Sequence, residues 1–169
     1  MRIEGVSFRH AVELLNKGPL VAKKSTVKQL APPIEAQAAD QEILQQVVTY
    51  YHDTLKESPE ALRYLESRGL THPEMIGHFK IGFANRTLGY RLPEKNRKAG
   101  AEMRGRLQEL GILRDSGHEH FNGSIVIPIL SREGEVRGMY GRKITPNLRE
   151  GTPLHLYLPG PHRGVFNEA

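Results

Sequence analysis

Helix signals and strand signals do not mix along this chain, and that segregation limits the fold more than any other feature. From Asp40 the apolar residues Leu44, Val47, Val48, Tyr51 and Leu55 recur on one helical stripe. Ser58-Pro59 supplies a cap and a proline at the first helical position, and Gly69 stands where a helix ends on a left-handed residue. Thr71, with Glu74 three residues on, reads as a capping box that starts a short helix through Phe79. Beyond Ala84 the pattern changes. Lys98 to Leu110 reads as a basic helix closed by Gly111, and Asp115-Ser116-Gly117 as a turn. Ile125 to Leu130 is an apolar run of strand length, Arg132-Glu133-Gly134 is a turn, and Glu135 to Ile144 carries a second strand pattern. Leu154 to Leu158 adds a further short strand, and Pro128 marks an edge or a bulge in the first. Helices gathered ahead of strands give an α+β fold: a helical N-terminal part followed by a small sheet.

Ahead of Asp40 the organisation is different. Ser7 caps a short helix with Phe8, Ala11, Val12 and Leu15 at helical spacing, and Lys17-Gly18-Pro19 stops it. Residues 18–40 hold Lys23, Lys24, Lys28, Pro32-Pro33 and an Ala/Gln-rich stretch without a period, and read as a linker outside the core. The chain has 169 residues, 38% hydrophobic, enough for one moderate core in residues 41–169 with an appendage. No apolar run is long enough to span a membrane, and residues 1–20 lack a signal-peptide core, so a cytoplasmic address is expected. The absence of cysteine excludes disulfides, thiolate zinc sites and cysteine nucleophiles within these residues.

Charge is unevenly spread. Lys and Arg against Asp and Glu number 6 against 2 in residues 1–30, 3 against 8 in 31–79, 9 against 3 in 80–114 and 6 against 6 in 115–169. The basic segment at 80–114 favours a polyanionic partner, because clustered cations displace counterions from phosphates. His118-Glu119-His120 beside a turn reads as a solvent-exposed loop rather than a metal site. The glycines Gly138, Gly141 and Gly164 form no phosphate loop ahead of a helix, and no carboxylate pair suggests a two-metal centre.

Several strings carry a family resemblance. Y-L-E-S-R-G-L at Tyr64–Leu70, followed by K-I-G-F-A at Lys80–Ala84, resembles the signature of the N-terminal basic subdomain of the catalytic core of DnaG-type primases. Ile125 to Arg142 is similar to that family's strand, turn and strand ending in Gly-Gly-Arg. L-Y-L-P-G-P-H-R-G at Leu156–Gly164 is similar to its Lys-Tyr-Leu-Asn-Ser-Pro and His-Lys-Gly loop. Gly5 to Leu15 resembles the end of the family's zinc-binding domain. The altered loop is more similar to primases of mobile elements. The resemblance implies an antiparallel sheet and three parts: residues 1–17 ending a zinc-binding domain whose ligands are absent, a linker at 18–40, and the core subdomain at 41–169. The catalytic toprim part, with its carboxylates, is expected outside this sequence.

It also implies a function. The parent would synthesise RNA primers on single-stranded DNA as a nucleotidyltransferase in the primosome, using magnesium and zinc held by other domains. These 169 residues would hold no cofactor and no catalytic residue, and alone would bind without polymerising. Expected partners are template, RNA–DNA hybrid, nucleotides and, through the parent, a replicative helicase; a monomer is expected. By match to the family strings, Arg68, Arg142 and Arg163 are the candidate contacts to phosphates, with Lys143 beside Arg142 and His155 standing in for a missing lysine. Tyr140 replaces a family glycine and either packs or stacks on a base. Alternative roles are helix-end electrostatics for Arg68, guarding of an exposed sheet edge for Arg142 and Lys143, and an ordinary loop position for Arg163. Two other functions remain open: a non-catalytic nucleic-acid-binding or adaptor module of a mobile element, and protein docking through the acidic helices of residues 40–79.

Overall fold

The computed structural model describes residues 32–35, 38–161 and 164. The helix read from Ser7, the boundary at residue 17, most of the linker and Arg163 lie outside these residues. Helix α1 (Asp40–Lys56) follows its apolar stripe, burying Leu44, Val47, Val48, Tyr51 and Leu55, and Glu42 reaches back to accept the Ala39 N–H at 2.9 Å. Two residues read as linker belong to the core instead. Ile34 and Ala38 are buried at 1% and 7% exposure, because the chain ahead of α1 folds back under it, where isolated apolar residues need no period to find cover.

Helix α2 (Pro59–Ser67) begins with its proline at the first turn, but the Ser58 hydroxyl donates to the Thr54 carbonyl at 2.7 Å instead of capping it. Helix α3 (Pro73–His78) also departs from expectation: its cap is His72 and no Thr71–Glu74 box forms, since the fixed φ of Pro73 sets the first turn one residue later. Gly69 and Gly111 end their helices with φ of 70° and 74°. Two elements escaped the sequence reading, the strand β1 (Gly82–Ala84) and the single-turn helix α4 (Leu88–Arg91), each too short for periodicity to show. Helix α5 (Lys98–Glu109) packs through Met103 and Leu107.

Strands β2 (Ser124–Leu130), β3 (Val136–Lys143) and β4 (His155–Tyr157) join β1 in an antiparallel sheet ordered β1-β2-β3-β4. β1 covers only Ser124 to Val126 of β2, so Pro128 lies on a stretch left open on that side and one residue short of a register shift at Ile129/Leu130. The register sorts side chains into two faces. One row runs Gly82, Val126, Gly141, Leu156, and faces α1, α5 and the loop carrying Phe121. The next runs Phe83, Ile125, Arg142, His155, and its apolar half is covered by α2 and α3 through Leu65, Met75, Ile76 and Phe79.

Close approach on the first face depends on missing side chains. A Cβ at Gly82 would lie 2.6 Å from the backbone of Tyr51, so α1 rests directly on β1. A Cβ at Gly141 would lie 2.4 Å from the ring of the fully buried Phe121. Gly141 is therefore a seat for that ring on the covered face.

Candidate nucleic-acid interface

Among the described residues, the helices that cover the second sheet face lie over β1 and β2, and none of the described helices lies over its β3 and β4 half. Tyr140 and Arg142 lie two apart on β3, His155 and Tyr157 two apart on β4, and the register sets Tyr140 opposite Tyr157 and Arg142 opposite His155. The rings of Tyr140 and Tyr157 lie 5.4 Å apart at 56°, and Tyr157 is 49% exposed. From α2 comes Tyr64, and from the residue that caps its end Arg68, four positions on, with the Arg68 guanidinium 5.5 Å from the Tyr64 ring centre.

Hydrogen bonds fix the charged groups. Arg142 Nη1 lies 2.6 Å from His155 Nε2, and His155 Nδ1 lies 2.7 Å from the Tyr140 hydroxyl. An arginine has no acceptor, so Arg142 donates and His155 Nε2 must accept. With Nε2 accepting, Nδ1 is left to bond the Tyr140 hydroxyl. His155 thus aims Arg142. At Tyr64, burial pushes the phenol up, but the neighbouring Arg142 and Arg68 outweigh it and hold the group below the usual range. Two arginines from distant parts of the chain thus bear on one phenol, Arg68 from over its ring. None of the ion pairs among the described residues includes Arg68 or Arg142. The arrangement offers tilted aromatic rings for bases and uncompensated guanidinium groups for phosphates.

The structure thus brings together Arg68, Arg142 and His155 of the residues singled out from sequence. It does not bring Lys143 to them. Alternation along β3 turns Lys143 to the opposite face, where Nζ donates to the Asn122 carbonyl at 2.5 Å. Burial, then the charges of Arg114 and Arg86, hold this ammonium below the usual lysine range. Nor does either residue guard an edge, since β3 lies between β2 and β4. Sequence reasoning passed over Tyr64 and Tyr157, although four-residue spacing to Arg68 and two-residue spacing to His155 place each beside a candidate.

The basic segment at 80–114 is partly structural. Arg104 donates to the carbonyls of Pro93 and Gly89 at 2.9 Å each, and Arg106 ties α5 to the start of α1 through Ala38 O at 2.7 Å and Asp40 at 2.6 Å. Arg97 and Lys98 pair with Glu94 and Glu102 on the surface. The His118-Glu119-His120 string is not the exposed loop expected. Glu119 is buried, accepting the Tyr51 hydroxyl at 3.2 Å and the Leu88 N–H at 2.9 Å, and burial outweighs these bonds to push its carboxyl up. With His120 Nε2 engaged to the Tyr157 carbonyl at 2.9 Å, the string is no ligand set, and no cluster among the described residues suits a metal.

The family model described as DNA primase catalytic core, N-terminal domain, matches residues 50–167. The chain belongs to this family. This primase-core domain is similar to the DNA primase of Haemophilus influenzae, 34% identical over 110 residues, covering 62% of the chain and 18% of that protein. It is similar also to the DNA primase of Helicobacter pylori strain J99, 28% identical over 135 residues, covering 77% and 22%. The domain thus spans about a fifth of the length of these relatives. A solved structure of the DnaG catalytic core superposes with a TM-score of 0.59 at 28% identity over 73% of the chain and 38% of its own. One of the DnaG primase catalytic domain bound to single-stranded DNA gives 0.56 at 27% over 72% and 39%. The helices followed by a four-stranded antiparallel sheet are the fold of that core's N-terminal part.

Proposed function

We propose that this primase-core domain binds the single-stranded DNA template, and its hybrid with the growing RNA, along the open half of the sheet, for a parent enzyme that makes RNA primers. The convergence of Arg68 and Arg142 on Tyr64, beside the Tyr140–Tyr157 pair, carries this reading. Primers start on many sequences, so the surface must hold a strand without reading it, and guanidinium groups with aromatic rings do so. The structure of a relative with single-stranded DNA supports the same assignment. Arg142 donates to a phosphate while His155 keeps the guanidinium aimed. Arg163, outside the described residues, is proposed as a further phosphate contact from its place in the family string.

Nucleotidyl transfer, with magnesium on toprim carboxylates and zinc on a separate domain, is proposed for the parent, as are contacts with nucleotides and a replicative helicase. These residues alone would bind without polymerising. A non-catalytic binding module would use the same surface, and primer synthesis by the whole parent separates the two. The direct test is the affinity of this chain for single-stranded DNA as salt is raised to about 200 mM: binding should weaken steeply, and an isotherm indifferent to salt contradicts the proposal.

A further inference from the structure

A second group of cations lies on the other side of β3. Asn122, in the turn leading into β2, is its hub: Arg86 Nε donates to the Asn122 side-chain oxygen and Lys143 Nζ to its carbonyl, while Arg114 donates to the carbonyl of His120 at 3.3 Å. Among the described residues, no ion pair includes Arg86, Arg114 or Lys143. Carboxylates are near. Glu119 is buried, engaged with Tyr51 and Leu88 and close enough to feel the charge of Arg86; Glu60 is exposed beside Arg86; and Glu150 is exposed in the wall of an adjoining open pocket of about 630 Å³, shared with Arg114, Asn122, Lys143 and Arg149. Burial, then the neighbouring Arg114 and Lys143, outweigh the Tyr157 bond and hold His120 below its usual range, so it adds no compensating or further charge.

Pinning the Asn122 turn needs one donor to each oxygen, not a third cation or neighbours close enough for Arg114 and Arg86 to add to burial in lowering Lys143. Such a concentration of like charge is costly in the free protein and is relieved by an anion. Arg86 also walls a smaller pocket, of about 280 Å³, together with Tyr64, Gly123 and Thr145. Cations therefore follow one another from Arg68 at Tyr64, past Arg86, to Lys143 and Arg114, rounding the end of the sheet. We propose that Arg86, Arg114 and Lys143 form a second phosphate-binding site, which holds the backbone of a single strand continuing past the aromatic platform. The direction of the strand rests on the function proposed above; the site itself rests on the cation cluster and its pocket.

The test compares oligothymidylates of about 4 and about 16 nucleotides on the wild-type chain and on Arg86→Gln/Arg114→Gln. For the longer strand the double variant should lose two phosphate contacts, lowering the slope of log affinity against log salt by about 1.4, while affinity for the shorter strand stays unchanged. Thermal unfolding checks that the variant is folded. If it is not, Arg114→Gln alone leaves the Arg86–Asn122 bond intact and should lower the slope by about 0.7. An unchanged slope, or an equal loss for both lengths, overturns the second site. Tripolyphosphate is the third arm. If it occupies the cluster in preference to the longer strand, the site serves a free polyphosphate and the backbone proposal fails. If the wild type ignores the shorter strand yet binds the longer one through Arg86 and Arg114, the second site stands and the platform does not.

Discussion

The two faces of the sheet are built from alternate residues of the same strands, yet they do opposite work. On the covered face Met139 and Gly141 of β3 meet Phe121, Leu107 and Val47, all nearly or wholly buried. On the open face Tyr140 and Arg142 of the same strand meet, among the described residues, β4 and Tyr64. Residue by residue, β3 divides between holding the fold and presenting a surface. Stability and binding should therefore respond to separate sets of substitutions a single position apart.

Phe121→Ala should have the largest effect, about 3–5 kcal/mol of folding stability, because a fully buried ring leaves a cavity over Gly141. Denaturant unfolding measures this, and the molecules that remain folded should bind single-stranded DNA as the wild type does. A cost below about 1 kcal/mol would show that the covered face does not hold the sheet. On the other face, Tyr157→Ala should cost about 1–3 kcal/mol of binding through the lost stacking surface. Its unfolding temperature should stay near the wild-type value. A variant that melts early but binds normally would make Tyr157 a packing residue and merge the two faces.

Arg142→Ala sharpens the comparison further. Its stability should move by no more than about 0.5 kcal/mol. Affinity should fall evenly across sequences, with the salt slope reduced by about one. His155→Ala should weaken binding less than Arg142→Ala, since it only aims the guanidinium. Equal losses would mean that the pair acts as a unit. In the full-length parent, primer yield should follow the binding data.

The smallest effect is a pH dependence in the buried network. Burial raises the Glu119 carboxyl in the folded state above its unfolded value, so the folded protein takes up the proton more readily. Stability is then penalised at pH above the raised value, and the penalty is relieved as pH falls through it toward the ordinary carboxylate range. Relative to Glu119→Gln, which does not titrate, the wild type should gain stability over that interval. Thermal unfolding of both proteins across acid pH measures the difference, and a wild type that loses ground to the variant as pH falls would reverse the assignment.

Much of the fold was legible because its signals are local. The stripe from Leu44 to Leu55, Pro59 at a first turn and Gly111 past a last one each act within a few residues, where sequence spacing is spatial spacing. Ile34 and Ala38 were not legible as core, because their burial depends on the chain folding back against α1 and not on any period of their own. The capping box at Thr71 failed for a local reason, the rigid φ of Pro73 competing with it. Glu119 was misjudged because a carboxylate beside a turn is normally solvated, and only the arrival of Tyr51 and Leu88 makes its burial tolerable.

The sequence alone determined the main helices and the three later strands, though not β1, which precedes α4 and α5, and through its strings the family and the arginines worth watching. The strand period of two was available to separate Arg142 from Lys143, which the sequence reading grouped, since adjacent strand residues must point apart. Only the tertiary structure decided what each then meets. Arg68 and Arg142 lie far apart in the chain and both bear on Tyr64 because α2 packs against the sheet face that β3 shows on that side. His155 became an aiming group for Arg142 only through the β3–β4 register. Local patterns follow from short-range sterics and solvation, whereas the convergence of a site is a long-range consequence of which faces the core leaves open.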